Sequence, residues 1–194
     1  NEKLDGLLRD ADIFVQGYRP GAIAKHGFGP EEVAAKRPGI IYVNLSAYGH
    51  VGPWSTWRGF DSLVQSATGI VHEGMIESGT NKPCPLPCQA LDHATGYLAA
   101  FGAMIALKRR LEEGGSWMVR VSLAQTGKWF NDLGRVEGLK TKKPARVEIS
   151  DLLEKHDSPF GIIEHVRPPE NFSETQPFWS TGSVPLGSNE PRWQ

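Results

Sequence analysis

Signatures of nucleotide and hydrolytic chemistry are missing from this chain of 194 residues. No Gly-x-Gly-x-x-Gly follows a strand, and there is no Walker-type phosphate loop, Gly-x-Ser-x-Gly elbow or His-Glu-x-x-His helix. Flavin or nicotinamide binding, ATP hydrolysis, serine hydrolysis and zinc proteolysis therefore lose their usual support. Excess charge of one sign is missing as well. With 21 basic and 22 acidic residues the net charge is −1, so no global field attracts nucleic acid or an anionic membrane. Cysteine is scarce: Cys84 and Cys88 lie in CPLPC, and the two further ligands a zinc site needs are not evident nearby. Two reduced thiols, no metal and a cytoplasmic location are the expectation. No signal peptide is visible, and the uncharged, mostly apolar run Tyr97 to Leu107 has eleven residues, short of the ~20 that span a bilayer. The chain begins without Met inside a helical pattern, which points to a fragment or a processed chain.

What is present is an alternation of helix and strand patterns. Residues 2–9 read as a helix, with Leu4, Leu7 and Leu8 on one face. The runs 12–16 (DIFVQ), 40–45 (IIYVNL) and 117–123 (WMVRVSL) read as buried parallel strands. Short helices are expected at 20–25 and 31–36, and another at 60–68 with Leu63, Val64 and Ala67 inward. A loop fills 47–58, and 69–89 reads as a long Gly- and Pro-rich loop. A helix is expected at 125–133 and a short one at 150–155. Strands separated by helices imply an α/β fold with an open parallel sheet and flanking helices. Residues 1–136 form its large domain, 137–159 a linker, and 160–194 an extended, proline-rich tail. In such sheets ligands bind beyond the carboxyl ends of the strands, and the strand at 40–45 runs directly into the loop that starts at Ser46.

Asp92 heads the segment 92–111 (DHATGYLAAFGAMIALKRRL). Asp is a good N-cap, and a carboxylate at a helix start is favoured by the dipole by ~0.3–1 kcal/mol. Behind it, Gly96, Ala99, Ala100, Gly102, Ala103 and Ala106 allow close approach of neighbouring backbone, with larger apolar residues between them. A helix apolar on nearly all sides is expected in a core. Asp92 is therefore either a plain cap or a reactive group held at the positive end of that helix.

The order of motifs resembles the class III CoA-transferases, the family of formyl-CoA transferase, carnitine CoA-transferase and α-methylacyl-CoA racemase. The resemblance rests on ADIFVQGYRPG at 11–21, IIYVNLSAYGHVGP at 40–53, Gly59-Phe60-Asp61 followed by Gln65 and Gly69, and GGSWMVRVSL at 114–123. Between the last two, Asp92 takes the position of the family's catalytic aspartate. The tail resembles the family's C-terminal return to the large domain, a Rossmann-like fold. The resemblance implies attack of the Asp92 carboxylate on an acyl-CoA thioester to form a mixed anhydride. An aspartyl-CoA thioester follows, and a carboxylic acid then collects the CoA. An Asp is ionised at neutral pH without help, and the helix start is expected to offer N–H donors to it.

For CoA, the substrate thioester and sole cofactor, the resemblance implies Gly17 and Tyr18 beside the adenine, with Tyr18 keeping an aromatic face. Lys25 falls where the family often has Arg near the phosphates, and Arg58, before Gly59 and Phe60, is a second basic candidate. Both can equally be solvated surface charges. Arg19 belongs to the RPG turn. Racemisation within the same family is the lesser option, because it needs a His where Phe60 stands beside Asp61, and Phe60 cannot accept a proton. His72 and His93 lie near in sequence without matching that position. His50 replaces a common Gln of the substrate loop, and Trp54 and Trp57 either wall an acyl pocket or simply pack. The inserted small domain and an N-terminal segment of the family have no counterpart here. A non-catalytic CoA-binding half-domain is therefore the other alternative, with a homodimer or a partner chain supplying the missing segments.

Overall fold

Residue 42 and its neighbours 41 and 43 divide the core between two faces of one strand, and the fold follows from that division. The computed structural model describes residues 1–136, 142 and 144–193. Strand β1 (Ile13–Gln16), β2 (Ile41–Ser46) and β3 (Trp117–Ser122) form a parallel sheet in the order β1-β2-β3. Ile13 pairs with Ile41, Val43 with Val119 and Ser46 with Ser122. Because side chains alternate along a strand, Tyr42 joins Leu8, Phe28, Val33 and Phe14 on one face, under α1 (Glu2–Leu8) and α2 (Pro30–Lys36). Ile41 and Val43 turn to the other face and meet Ala103 and Ala106 of the long helix α5 (Ala90–Glu113). A strand buried on both faces is the reason for the unbroken apolar run at 40–43.

Small residues let α5 lie close to the sheet: a Cβ on Gly102 would stand 2.6 Å from Val119 Cγ1. Only that side of the helix is buried, however. Tyr97, Phe101 and Met104 are exposed, contrary to the expectation of a helix enclosed all round. At 24 residues α5 is also longer than its eleven-residue apolar run, and by length and composition alone it could cross a membrane. It packs on β2 and β3 through one face.

Helix α3 (Asp61–Ala67) forms where expected, but with a different inner face: Asp61, Val64 and Gln65 are buried while Leu63 and Ala67 are exposed. The long loop expected at 69–89 contains helix α4 (Ile70–Glu77). Near 20–25 the backbone makes turns and a single 3-10 turn at Ala24–His26 rather than a helix from residue 20. Helix α6 (Leu123–Asp132) starts directly at the end of β3, capped by Ser122 Oγ, which accepts from Gln125 N–H at 3.3 Å. These elements make up one compact unit, Asn1–Arg135.

The second unit runs from Val136 to Gln194. A 3-10 turn at Arg146–Leu152 leads into β4 (Leu153–Ser158), which pairs antiparallel with β5 (Gly161–Val166). The helix expected at 150–155 is thus half turn and half strand. The first residues of the expected tail form β5, an extended strand paired with β4. Most of the residues at 137–143 lie outside the described ones.

Candidate functional site

Asp92 is the third residue of α5, not its cap; Gln89 precedes the helix. The cap comes from another helix. Asp61, only 2% exposed, accepts from Leu91 N–H at 2.8 Å and Asp92 N–H at 3.0 Å through one carboxylate oxygen, Oδ2. Its other oxygen, Oδ1, accepts from Gln65 Nε2, four residues on along α3. Gln65 in turn receives Leu86 N–H at 2.9 Å on Oε1 and donates to Cys88 O at 3.3 Å. Two polar residues at i and i+4 on the inner face of α3 therefore fix both the approach to α5 and its first turn. This explains why Leu63 points outward. An apolar periodicity rule assigns the inner face to Leu63 and Ala67, yet the unpaired N–H groups of a helix start demand an acceptor.

The same bonds correct one expectation about the chemistry. The first N–H groups of α5 are not free to serve the Asp92 carboxylate. Leu91 and Asp92 donate to Asp61, Ala90 N–H donates to Cys88 O at 2.8 Å, and His93 N–H donates to Gln89 O at 3.1 Å. What the helix start offers Asp92 is its dipole alone. The carboxyl group itself is exposed, although neighbouring protein removes part of its hydration. That desolvation, followed by the charge of Asp61, raises its pKa above the ordinary carboxylate value, with His93 acting in the opposite direction.

An acid whose folded pKa is raised stabilises the folded state below its unfolded pKa, and this contribution is lost as pH rises through the folded value. At neutral pH the ionised Asp92 thus works against folding. Asp92→Asn is expected to be the more stable protein at neutral pH, by less than about 1 kcal/mol because the group is exposed. The difference should vanish below the carboxylate range. Urea denaturation at pH near 7 and near 3 reads it; an Asn variant less stable at neutral pH would contradict the sign.

The other residues gather mainly at the carboxyl edge of the sheet. Gly17 and Tyr18 follow β1, and a Cβ on Gly17 would touch Leu45 Cδ2 of β2 at 3.7 Å. Tyr18 N–H donates to Gln16 Oε1 at 2.9 Å, and its ring is largely exposed. A cleft of about 370 Å³ opens beside that ring, lined also by Leu4, Ala22, Ile23, His26 and Phe28. Lys25 lies on the 3-10 turn flanking that cleft, exposed, and Arg58 is exposed before α3. Among the described residues neither is committed to an ion pair. Arg19 O accepts from Ala22 N–H at 2.8 Å, so its backbone closes the turn after β1.

Phe60 is 80% exposed and precedes α3. Gly59 is hemmed in: a Cβ there would lie 2.7 Å from Ala47 Cβ, 3.1 Å from Tyr48 Cε2 and 3.2 Å from Val64 Cγ2. Gly59→Ala is therefore expected to destabilise by ~1–3 kcal/mol, as overpacking does. An unchanged urea midpoint would mean that the 47–58 loop simply gives way. Ala47 and Val64 share a cluster with Leu91 and Leu123, so this loop, the starts of α5 and α6 and the buried side of α3 pack together. Trp54 and Trp57 stack at 5.3 Å between centroids, and both meet the Tyr48 ring edge-on. Burial, with Arg120 adding to it, lowers the pKa of His50 against smaller contributions from Val121 and Asn44. Its Nε2 is buried without a hydrogen bond among the described residues. His50 thus favours the neutral imidazole.

The sequence and fold of this chain are similar to those of known proteins. The chain is 33% identical over 162 residues to an acetyl-coenzyme A transferase of Hypoxylon pulicicidum, covering 81% of this chain and 26% of that protein. It is 27% identical over 189 residues to a formyl-CoA:oxalate CoA-transferase of Streptomyces coelicolor, covering 97% and 44%. Among solved structures, Rv3272 of Mycobacterium tuberculosis superposes with a TM-score of 0.60 at 28% identity, over 70% of this chain and 39% of that one. The chain thus spans about a quarter to under half the length of these relatives. The family pattern described as CoA-transferase family III matches residues 1–167, and the chain belongs to that family.

Proposed function

We propose that Asp92 is the nucleophile of a CoA transfer from an acyl-CoA thioester to a carboxylic acid. The observation that carries the reading is a carboxylate in the first turn of α5 that reaches solvent while the turn beneath it is held by the buried Asp61. A raised pKa makes this carboxylate more basic, and hence a stronger nucleophile once ionised. In the first step an Asp92 carboxylate oxygen bonds to the thioester carbon and the C–S bond breaks, releasing CoA thiolate. The thiolate attacks the aspartyl carbon of the anhydride, which frees the first acid and leaves an aspartyl-CoA thioester. An acceptor carboxylate attacks that thioester, CoA thiolate leaves again, and its attack on the new acyl carbon restores Asp92.

Tyr18 and its cleft would receive the adenine, with Gly17 allowing close backbone approach. Lys25 and Arg58 would meet the phosphates, and Gly59 and Phe60 would flank the pantetheine arm. A homodimer or a partner chain would complete the enclosure of Asp92, which is open in this chain.

Intact-mass analysis after incubation with several acyl-CoAs and hydroxylamine tests the reading, because hydroxylamine converts an activated aspartyl group to the hydroxamate. The expected result is that mass change on Asp92, absent in Asp92→Ala. CoA binding without any adduct from any donor would favour a binding half-domain instead. Exchange of an α-proton without CoA transfer would favour racemisation.

A further inference from the structure

The second unit carries a side-chain cluster that the proposed chemistry does not use. Glu154 and His156 are two apart on β4, so their side chains leave the same face of the ribbon, and His165 of β5 is the cross-strand partner of Glu154. The opposite face carries Glu164 paired with Lys155 at 3.8 Å and with Arg146, so its charges are matched. On the first face the acid meets two imidazoles rather than a Lys or Arg among the described residues. Glu154 Oε1 is buried and has no hydrogen-bond partner among the described residues. His156 Nε2 stands 3.6 Å from it and His165 Nε2 3.7 Å. The two imidazoles stack at 4.8 Å with 24° between their planes. All three side chains are part-buried, and the three candidate ligand atoms lie within 4.8 Å of one another.

Two imidazole nitrogens and a carboxylate oxygen that converge in this way are joined either by a proton on a ring nitrogen or by a metal ion. The distances favour the metal. A charged imidazole donating to a carboxylate closes to ~2.7–2.9 Å, well inside what is seen. Around a four-coordinate ion with bonds of ~2.0–2.2 Å, neighbouring ligand atoms lie ~3.3–3.5 Å apart, within a few tenths of the two separations from Glu154 Oε1. The tautomer also fits. His165 Nδ1 is 2.9 Å from Val166 O, and donating its proton there leaves the lone pair on Nε2, the arrangement common to metal-binding histidines. Two imidazole nitrogens and one carboxylate oxygen suit a borderline divalent ion such as Zn²⁺ or Co²⁺ rather than Mg²⁺ or Ca²⁺.

We propose that Glu154, His156 and His165 form a binding site for a divalent transition-metal ion on the β4–β5 ribbon, with one coordination position left to water. The site is absent from the usual sequence signatures because its ligands are split, two residues apart on one strand and nine residues on at the cross-strand position.

The test is titration of the 194-residue chain with Zn²⁺ by calorimetry and with Co²⁺ by visible absorption. It uses a Cys84→Ser, Cys88→Ser background so that the thiols of CPLPC cannot compete. The expected result is one ion bound per chain with a four-coordinate nitrogen–oxygen Co²⁺ spectrum. Affinity should fall at least about tenfold in His156→Ala, in His165→Ala and in Glu154→Gln. Ring nitrogen NMR of the otherwise unaltered chain guards against variants that do not fold: Zn²⁺ should shift Nε2 of His156 and His165. Binding indifferent to all three substitutions would overturn the site, as would Zn²⁺ shifts on His26, His72 or His93 instead. Imidazoles that only protonate against Glu154, with no response to metal, would overturn it too.

Discussion

Asp92→Ala is expected to lower acyl-CoA consumption by at least about 10³-fold, since no water or neighbouring group replaces a covalent nucleophile at comparable rate. Nothing else at the start of α5 can substitute. His93 follows on the helix, about 100° round from Asp92, and the nearest acid, Asp61, is buried with both oxygens engaged. Asp92→Glu keeps the charge but lengthens the arm by a methylene, and a displacement of that order costs about 10²-fold when reacting atoms must be held close. Thiol release measured with an acceptor acid present separates these outcomes from binding losses, because Tyr18 and Lys25 are unchanged. Retention of near-full turnover in Asp92→Ala would sink the nucleophile assignment. The variant is not expected to be less stable. Removing an ionised group whose folded pKa is raised favours the fold at neutral pH, so activity and stability should move in opposite directions at this residue.

Much of this frame could be read from residues alone. The three strands fall within a residue or two of the apolar runs, since a strand buried on both faces leaves an unmistakable apolar signature. Asp92 stood out for the same reason, as a lone acid ahead of small and apolar residues. The failures lie where side chains answer distant partners. Helix α4 was hidden by Gly74, a poor helix former, but a Cβ there would be 2.2 Å from Cys84 O, so the glycine serves the loop that crosses it. The ribbon β4–β5 was hidden by its polarity: LEKHDS and GIIEHV alternate weakly, and Leu152 and Leu153 beside Glu154 suggest a helix. The turn residue Pro159, between the strands, is the signal that could have revealed it. Asp61 and Gln65 were legible as a motif but not as a clamp, because an acceptor for another helix's N–H groups depends on contacts 30 and 31 residues away.

Asp61→Ala is expected to destabilise the first unit by about 3–5 kcal/mol, each stranded buried donor costing roughly 1–3 kcal/mol. Three donors lose their acceptor: Leu91 N–H, Asp92 N–H and Gln65 Nε2. Leu91 is fully buried, so water cannot replace the lost oxygen without entering the cluster of Ala47, Val64 and Leu123. Against a typical total stability of ~5–15 kcal/mol this is a large fraction. Asp61→Asn separates charge from shape. Its carbonyl oxygen can still accept from Leu91 and Asp92, but its NH₂ then faces Gln65 Nε2, donor against donor. Gln65 cannot turn its amide over without withdrawing Oε1 from Leu86 N–H. The Asn variant should therefore fall between wild type and Ala in urea midpoint, while losing the Asp61 charge that helps to raise the Asp92 pKa. Where Asn folds, hydroxylamine capture at Asp92 should extend to lower pH than in wild type. If instead Asp61→Ala unfolds at the wild-type midpoint, the first turn of α5 is held by Gln89 and Cys88 carbonyls alone, and the clamp has no energetic weight.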